Sequence, residues 1–253
     1  MLRMRQICLV AQDLDAVEAD LSAIFGLAVC YRDPGVGRYG LHNFLMPVGN
    51  NFLEVVSPAR EGTAGGRYLQ RRGGDGGYMV ILQCDDIGAV RERVARLGVR
   101  LVGETGQGVD HGIQLHPKDV PGAIISIRQN HGANDPAPPW EPAGPNWLPA
   151  RRTDVVRGMV AAEIQTDSPA ALAARWGEVL ARPVTFGAGG RPEIALDDAT
   201  LRFVPVTDGR GEGLGGLDLE TFDRRRVLEA AEARGSRVSD DLVMVCGIRF
   251  LLV

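Results

Sequence analysis

The chain has 253 residues, of which 45% are apolar, and its formal net charge at pH 7 is −4. This apolar content can bury one large core or two medium cores, which excludes a disordered chain. Lys118 is the only lysine and the arginines form no basic stripe, which disfavours a nucleic-acid partner.

A short apolar strand followed by an amphipathic helix recurs four times along the chain. The residues predicted to open the four helices are Asp13, Asp86, Asp167 and Asp223. In the first two copies, apolar residues recur at helical spacing as far as Gly26 and Gly98, which are typical helix stops. The segments that predict hairpin strands after the helices include 42–48, 52–57, 112–116 and 123–128. Each copy is therefore predicted to be a β-α-β-β-β module.

A glycine-rich stretch, 62–77, separates the first two modules. It lacks the Gly-Lys-Ser/Thr sequence of a phosphate loop and predicts a flexible crossover. A minor hypothesis is that its Arg67, Arg71 and Arg72 close over an anionic ligand as a mobile lid.

A proline-rich stretch divides the chain. Six prolines fall between residues 130 and 150, where they oppose helices and central strands. We expect Trp140 and Trp147 to pack this segment against a domain. The predicted organisation is an N-terminal domain at 1–129, with modules 1–60 and 77–129, a linker at 130–154 and a C-terminal domain at 155–253.

Cysteine usage and the N-terminus predict the compartment. The four cysteines show no C-x-x-C spacing, and three lie in strand-like apolar runs, so we expect reduced thiols. After the basic Arg3 and Arg5, the apolar run from Ile7 to Ala11 is too short for a signal peptide or a membrane span. We therefore expect a cytoplasmic monomer or homodimer with no membrane partner.

The modules and three sequence segments together carry a family resemblance. The segments are QICLVAQDLDAVEADLSAIFG, FLEVVSP and HPKDVPGAIISI. The chain resembles the vicinal oxygen chelate (VOC) superfamily, which includes glyoxalases, bleomycin-resistance proteins, methylmalonyl-CoA epimerases and extradiol dioxygenases, and is most similar to its glyoxalase-like branch. The resemblance covers 4–128 well and 156–253 in outline. It implies an α+β fold in which four βαβββ modules form two fused VOC domains with curled mixed sheets, the second one degenerate.

The resemblance also implies where a metal site would lie. Family members with metal chemistry usually present His, Glu or Gln, His and Glu on four strands. The positions that match here are Gln6, Glu54, Met79 and Ser126. Met79 and Ser126 are poor ligands, and an ion held by the remaining oxygens would stay mostly hydrated. The matching positions of the second half, near Val160, Arg202, Gly216 and Arg249, contain no ligand set. We therefore predict that the standard metal site is lost and that no cofactor is needed, a divalent metal being the disfavoured alternative.

One alternative metal site depends on strand register. His42, Glu54 and His116 are the His and carboxylate residues of the first-domain strands that could converge. If Met46 pairs with Glu54, His42 shares a face with Glu54, whereas a shift of one residue brings Asn43 to that face instead. The sequence leaves both registers open.

The remaining polar residues predict a ligand pocket. Strand alternation puts Met79, Ile81 and Gln83 on one face, and pairing around Asp119-Val120 places Gln114 opposite Ser126. The predicted substrate-binding residues are Gln6, His42, Met79, Gln83, Gln114, His116 and Ser126. The competing interpretation is that buried amides satisfy one another across the barrel and that Glu54 pairs with an arginine.

Glu54 is the predicted catalytic residue, because an enclosed carboxylate can abstract a proton next to a carbonyl. The sequence thus predicts a glyoxalase-like lyase or isomerase that binds a small oxygenated metabolite in the N-terminal barrel without the standard metal. The first alternative is a metal-independent binding protein that sequesters a small molecule, as bleomycin-resistance proteins do. The second is a metal-dependent glyoxalase or extradiol dioxygenase with a non-standard ligand set.

Overall fold

The computed structural model describes residues 1–107, 110–132, 135 and 138–253. The linker residues 133–134 and 136–137 lie outside this part of the chain. The strands, in chain order, are β1 Leu2–Val10, β2 Leu41–Val48, β3 Asn51–Pro58, β4 Gly76–Cys84, β5 Leu101–Gln107, β6 Asp110–Leu115, β7 Ile124–Gln129, β8 Val156–Gln165, β9 Val184–Phe186, β10 Pro192–Ala195, β11 Thr200–Val204, β12 Gly213–Thr221, β13 Leu242–Val245 and β14 Ile248–Leu252. The α-helices are α1 Leu14–Phe25, α2 Ala64–Arg72, α3 Ile87–Arg96, α4 Pro169–Leu180 and α5 Arg224–Ala233.

The strands form two seven-stranded mixed sheets. The first has the order β2-β3-β1-β4-β7-β6-β5 and the second has the order β13-β14-β12-β8-β11-β10-β9. Within a module, the first strand runs parallel to the last, as β4 does with β7 and β8 with β11. The hairpins β2-β3, β5-β6 and β13-β14 are antiparallel. These mixed sheets confirm the α+β fold built from βαβββ modules.

The second strand of the βαβββ pattern is reduced to an isolated bridge in the first and last modules. In the first module only Tyr31 forms a bridge, to Leu45, because Pro34 follows closely and starts a 3-10 helix at Pro34–Tyr39. In the last module Arg237 forms a bridge to Val243. The second and third modules keep all four strands.

The predicted aspartate caps explain where three of the four repeat helices begin. The side chains of Asp13, Asp86 and Asp223 each accept a hydrogen bond from the backbone N–H three residues later, at 2.9–3.0 Å. The prediction that Asp167 opens the third helix is wrong. That helix begins at Pro169 after Ser168, because proline at the first helical position has its φ preset and lacks an N–H that would be unpaired anyway.

The glycine-rich stretch 62–77 was predicted to be a flexible crossover, but most of it forms the helix α2. Thr63 caps α2 by accepting a hydrogen bond from the N–H of Gly66 at 3.0 Å, and Gly73 ends the helix with a φ of 70°. Leu69 is buried and anchors the helix. Local capping thus outweighs the low helix propensity of the two internal glycines.

The chain divides into two compact units. The first contains Met1–Gln6, Tyr78–Glu141 and Ala161–Leu214, and the second contains Ile7–Gly77, Pro142–Val160 and Gly215–Val253. The first unit therefore holds most of the second and third modules, and the second unit holds most of the first and fourth. The division of the chain at 129 and 155 stays a prediction.

Aromatic side chains fill the core of each unit. In the first unit, Trp176 meets Phe203 edge to face, with ring centroids 5.5 Å apart, and in the second Phe25 packs on Phe250 at 4.9 Å. Trp140 and Trp147 of the proline-rich segment are both buried. The prediction that these tryptophans pack the segment against folded structure is therefore confirmed. In the described parts of the chain, no helix is long and apolar enough to cross a bilayer.

Candidate functional site

The register of the β2-β3 hairpin decides which side chains accompany Glu54. Leu45 pairs with Glu54, Asn43 with Val56 and His42 with Ser57. Since side chains alternate along a strand, Asn43 shares a face with Glu54 and His42 lies on the opposite face. His42 is exposed, whereas Asn43 is buried. Of the two registers that the sequence left open, the structure has the one that brings Asn43 to Glu54.

Glu54 is a buried carboxylate, with 7% of the residue exposed. The side-chain amide of Asn43 donates a hydrogen bond to its Oε1 at 2.6 Å. The Asn43 Oδ1 accepts a hydrogen bond from the backbone N–H of Asp33 at 2.8 Å, which fixes the amide orientation. Asn43 therefore presents its N–H groups to Glu54 and holds the carboxylate in place.

Cys8, on β1, is the second polar neighbour of Glu54. Burial, the negative charge of Glu54 and a hydrogen bond with that carboxylate together raise the pKa of the Cys8 thiol well above its usual range. Cys8 thus stays protonated at neutral pH. The Cys8 Sγ donates a hydrogen bond to the backbone carbonyl of Leu9 at 3.4 Å, so the uncharged thiol and the Asn43 amide are the polar neighbours of the carboxylate in a mostly apolar strand environment.

A surface cleft of about 380 Å³ reaches the Asn43 end of this cluster. Its walls are formed by Leu14, Asp15, Arg32, Asp33, Pro34, Gly37, Leu41, His42 and Asn43. Asn43 therefore both lines the cleft and donates to the Glu54 carboxylate, whereas Glu54 itself is not among the cleft residues.

Gln6 belongs to the first compact unit and contacts the proline-rich segment. The indole Nε1 of Trp140 donates a hydrogen bond to the Gln6 Oε1 at 2.6 Å. The guanidinium carbons of Arg5 and Arg128 lie 5.6 Å and 5.8 Å from the centroid of the Trp140 ring. The Gln6 oxygen is therefore engaged by a tryptophan of the predicted linker.

Four predicted binding residues lie together on strands of the first unit. Ile81 pairs with Ser126, Met79 with Ile124 and Gln83 with Arg128. Gln114 pairs with Ser126, as the sequence predicted. Met79, Gln83, Gln114 and Ser126 therefore share one face of β4, β6 and β7. Their role in binding stays a prediction.

His116 lies in the turn after β6. Its Nδ1 accepts a hydrogen bond from the backbone N–H of Lys118 at 3.1 Å, and its backbone carbonyl accepts one from the N–H of Asp119. These bonds order the turn, and the ring is half-buried. The structure thus gives His116 a local role and places His42 on the opposite strand face from Glu54.

The residues at the four positions implied by the resemblance do not fit a divalent metal. The Gln6 oxygen accepts the Trp140 N–H, Met79 offers only a thioether, and the Ser126 hydroxyl donates to the Ile113 carbonyl at 3.3 Å. Hard cations prefer several free oxygens, and thioethers suit soft metals. Within the described ranges, no group of three or more His, Cys, Asp or Glu side chains is placed to hold a metal. Loss of the standard site nevertheless stays a prediction.

Three of the corresponding positions of the second half take part in contacts between strands. Arg202 forms an ion pair with Glu163 at 3.1 Å, and Gly216 pairs with Arg249 across β12 and β14. These contacts link neighbouring strands of the second sheet.

Sequence reasoning missed two members of the Glu54 cluster. Asn43 is only one outcome of an open register, and the sequence predicts Cys8 only as one of four reduced thiols. Cys8 follows Gln6 by two residues, so strand alternation alone puts both on one face of β1. That spacing places Cys8 on the Gln6 face of β1, whereas its proximity to Glu54 depends on the order of the strands in the sheet.

Comparison with known proteins relates the whole chain to this fold. A protein from Staphylococcus aureus, solved as a hypothetical protein, matches 100% of this chain and 99% of its own with a TM-score of 0.68 and 14% identity. The ethylmalonyl-CoA/methylmalonyl-CoA epimerase of Cereibacter sphaeroides is 24% identical over 131 residues, which are 50% of this chain and 97% of the relative. The human mitochondrial methylmalonyl-CoA epimerase is 24% identical over 130 residues, 50% of this chain and 73% of the relative.

The family assignment rests on a longer match. The profile of the glyoxalase-like domain matches residues 7–180, more than half of the chain. The chain therefore belongs to the glyoxalase-like domain family, within the VOC superfamily that its sequence predicted.

Proposed function

We propose that the protein is an isomerase-type enzyme that moves a proton at the carbon next to a carbonyl group in a small oxygenated metabolite. Glu54 is the base that removes this proton. The observation that carries the proposal is the buried Glu54 carboxylate, 7% exposed and held by the Asn43 amide at 2.6 Å. The relatives named as epimerases support the reaction type, since epimerisation at such a carbon consists of removing a proton and returning it.

Each proton transfer in the proposed reaction has a donor and an acceptor without a cofactor. The Glu54 carboxylate takes the proton from carbon, and the electron pair of that C–H bond moves to the carbonyl oxygen to give an enolate. A water molecule on the opposite face of the carbon then gives a proton to the enolate, and the hydroxide left behind is neutralised by the proton that Glu54 releases to solvent, which closes the cycle. Shielding from water favours proton uptake by a carboxylate, whereas hydrogen bonds to it favour the charged form. Asn43 donates one such hydrogen bond to Glu54, at 2.6 Å.

Sequestration of a small molecule is the second candidate function. It is supported by the surface cleft of about 380 Å³ beside Asn43, which has room for a small molecule whether or not Glu54 transfers a proton. A protein that only binds would need no base and would tolerate the loss of the Glu54 charge. The metal-dependent alternative is disfavoured, because His42 points away from the face of Glu54.

The proposal is tested with wild-type protein, Glu54→Gln and the matched control Glu61→Gln, which changes an exposed glutamate. Methylmalonyl-CoA and simpler acyl thioesters serve as probes, each followed by thermal shift and by chiral analysis of the product after treatment with a metal chelator. Conversion by wild type and Glu61→Gln, lost in Glu54→Gln while the thermal shift persists, supports a proton-transfer enzyme. Thermal shifts in all three without conversion favour sequestration, and equal conversion by all three removes Glu54 from the mechanism.

A further inference from the structure

One buried amide in the first unit has a donor that nothing nearby accepts. The Gln83 side chain is fully buried, and its Oε1 accepts a hydrogen bond from Nη2 of Arg3 at 2.9 Å. Its Nε2 has no hydrogen-bond partner among the residues that the structure describes. A buried amide nitrogen without an acceptor is costly, and a ligand or an ordered water is the usual explanation.

Arg3 also has an N–H donor without an acceptor. Its Nε is buried and also lacks an acceptor within the described part of the chain. Two touching side chains, Arg3 and Gln83, therefore each have an unused N–H donor. Arg3 is half-buried as a residue, whereas Gln83 is fully buried.

A second guanidinium lies beside this pair. Arg128 pairs with Gln83 across β7 and β4, so both side chains occupy the same sheet face. The Arg128 guanidinium donates to the Thr105 Oγ1 at 2.9 Å and to the Glu141 carboxylate at 2.7 Å. Glu141 is mostly exposed, so water screens much of its charge.

Arg5 adds a further guanidinium to this unit, and aspartates lie close to the same strand: the backbone N–H groups of Leu2 and Met4, on either side of Arg3, donate to the carboxylates of Asp197 and Asp198 at 2.8 Å. Arg5, also in the first unit, has its pKa lowered to about 9 by burial and by the charge of Arg3, which Asp198 and Asp135 offset only in part. An anion at this location would relieve the repulsion among the guanidinium groups, whereas a water molecule would satisfy the N–H groups and leave the charge in place.

We propose that Arg3 and Gln83, with Arg128 beside them, form a binding site for one carboxylate group of a small acidic ligand. The two unused N–H donors match the two oxygens of a carboxylate, and guanidinium groups bind carboxylates through directed, charge-assisted hydrogen bonds. The site is independent of proton transfer by Glu54, so each proposal stands or fails separately.

The test uses the full chain with sodium acetate and sodium malonate as probes, and with chloride and inorganic phosphate at matched ionic strength. Wild type is compared with Gln83→Met, which keeps the side-chain volume, and with Arg3→Met. A third variant, Gln83→Glu, places a carboxylate of the protein itself beside Arg3. Arg96→Met, at an exposed arginine of α3, is the control. Binding is measured by thermal shift and by titration calorimetry.

The expected result is a saturable carboxylate-induced stabilisation of wild type and Arg96→Met, weakened about tenfold or more in Arg3→Met and Gln83→Met. Gln83→Glu is expected to fold at least as stably as wild type and to lose the response. If Gln83→Met does not fold, Arg3→Met and Gln83→Glu decide the outcome. Equal shifts in all variants, no shift in wild type, or a stronger effect of phosphate than of carboxylates would overturn the assignment.

Discussion

The indole N–H of Trp140 donates a hydrogen bond of 2.6 Å to the Oε1 of Gln6, a residue 134 positions earlier in the chain. Gln6 occupies the position where the resemblance to the VOC superfamily implies a metal-binding His. A tryptophan of the proline-rich segment thus satisfies a buried amide at this position, and the same ring lies near the guanidinium groups of Arg5 and Arg128.

Trp140→Phe keeps an aromatic ring and removes the N–H donor. We expect it to lower the free energy of unfolding by about 1–3 kcal/mol, because the Gln6 oxygen loses the indole N–H donor, and Trp140→Ala to cost about 3–5 kcal/mol. Urea denaturation of Trp140→Phe, Gln6→Leu and the double variant gives the coupling between the two residues. A coupling energy near zero would show that the hydrogen bond contributes nothing to stability.

Asn43→Leu tests the hairpin register and the contact with Glu54. The substitution leaves the buried Glu54 carboxylate without its amide donor, so we expect a loss of about 1–3 kcal/mol in the free energy of unfolding. His42→Leu, one residue earlier on the exposed face, is expected to stay within about 0.5 kcal/mol of wild type. Chemical denaturation measures both, and the reverse order of costs would contradict the observed register.

Gly49→Ala tests a close backbone approach in the second unit. Gly49 has a φ of 63°, and an added Cβ would lie 2.1 Å from the carbonyl oxygen of Arg157. Gly62→Ala is the matched control, since Gly62 has a φ of 72° and no atom within 4 Å of an added Cβ. We expect Gly62→Ala to cost about 1–2 kcal/mol and Gly49→Ala clearly more, because the latter adds a clash to the backbone strain. Equal losses in the midpoint of thermal unfolding would show that the Arg157 contact relaxes freely.

Cys84 makes the stability of the protein depend on pH in the alkaline range. Burial raises the pKa of its thiol from an ordinary value of 9.0 to about 11. The folded state therefore holds this proton more tightly than the unfolded state, so the contribution is complete below pH 9 and is lost as the pH rises towards 11. The difference in unfolding free energy between wild type and Cys84→Ala should shrink by on the order of 2 kcal/mol over this window. Denaturation curves whose difference stays constant from pH 8 to 11 would contradict it.

Structural features that depend only on residues close together in the sequence could be predicted from the sequence. The caps at Asp13, Asp86 and Asp223 span three residues each, so the local pattern contains all the information that they need. The pairing of Gln114 with Ser126 follows from a short turn and strand alternation.

The contacts around the candidate site could be predicted only in part. A shift of one residue in the β2-β3 hairpin exchanges Asn43 for His42, and the turn at Gly49 is compatible with either pairing. The bond between Trp140 and Gln6 joins distant segments, and no local pattern reports such a contact. Proximity of Cys8 to Glu54 likewise depends on which strands become neighbours, which the sheet order β2-β3-β1 establishes.

Deuterium incorporation from heavy water measures proton transfer by Glu54 most directly. Methylmalonyl-CoA, followed by other acyl thioesters, is incubated with wild type, with Glu54→Gln or without protein, and the gain of one mass unit at the carbon next to the carbonyl is followed by mass spectrometry. We expect incorporation by wild type well above the protein-free background, and a rate about 10²–10⁴ lower in Glu54→Gln. Incorporation at the same rate in both proteins, or at the background rate in wild type for every thioester, would contradict the assignment of Glu54 as the base.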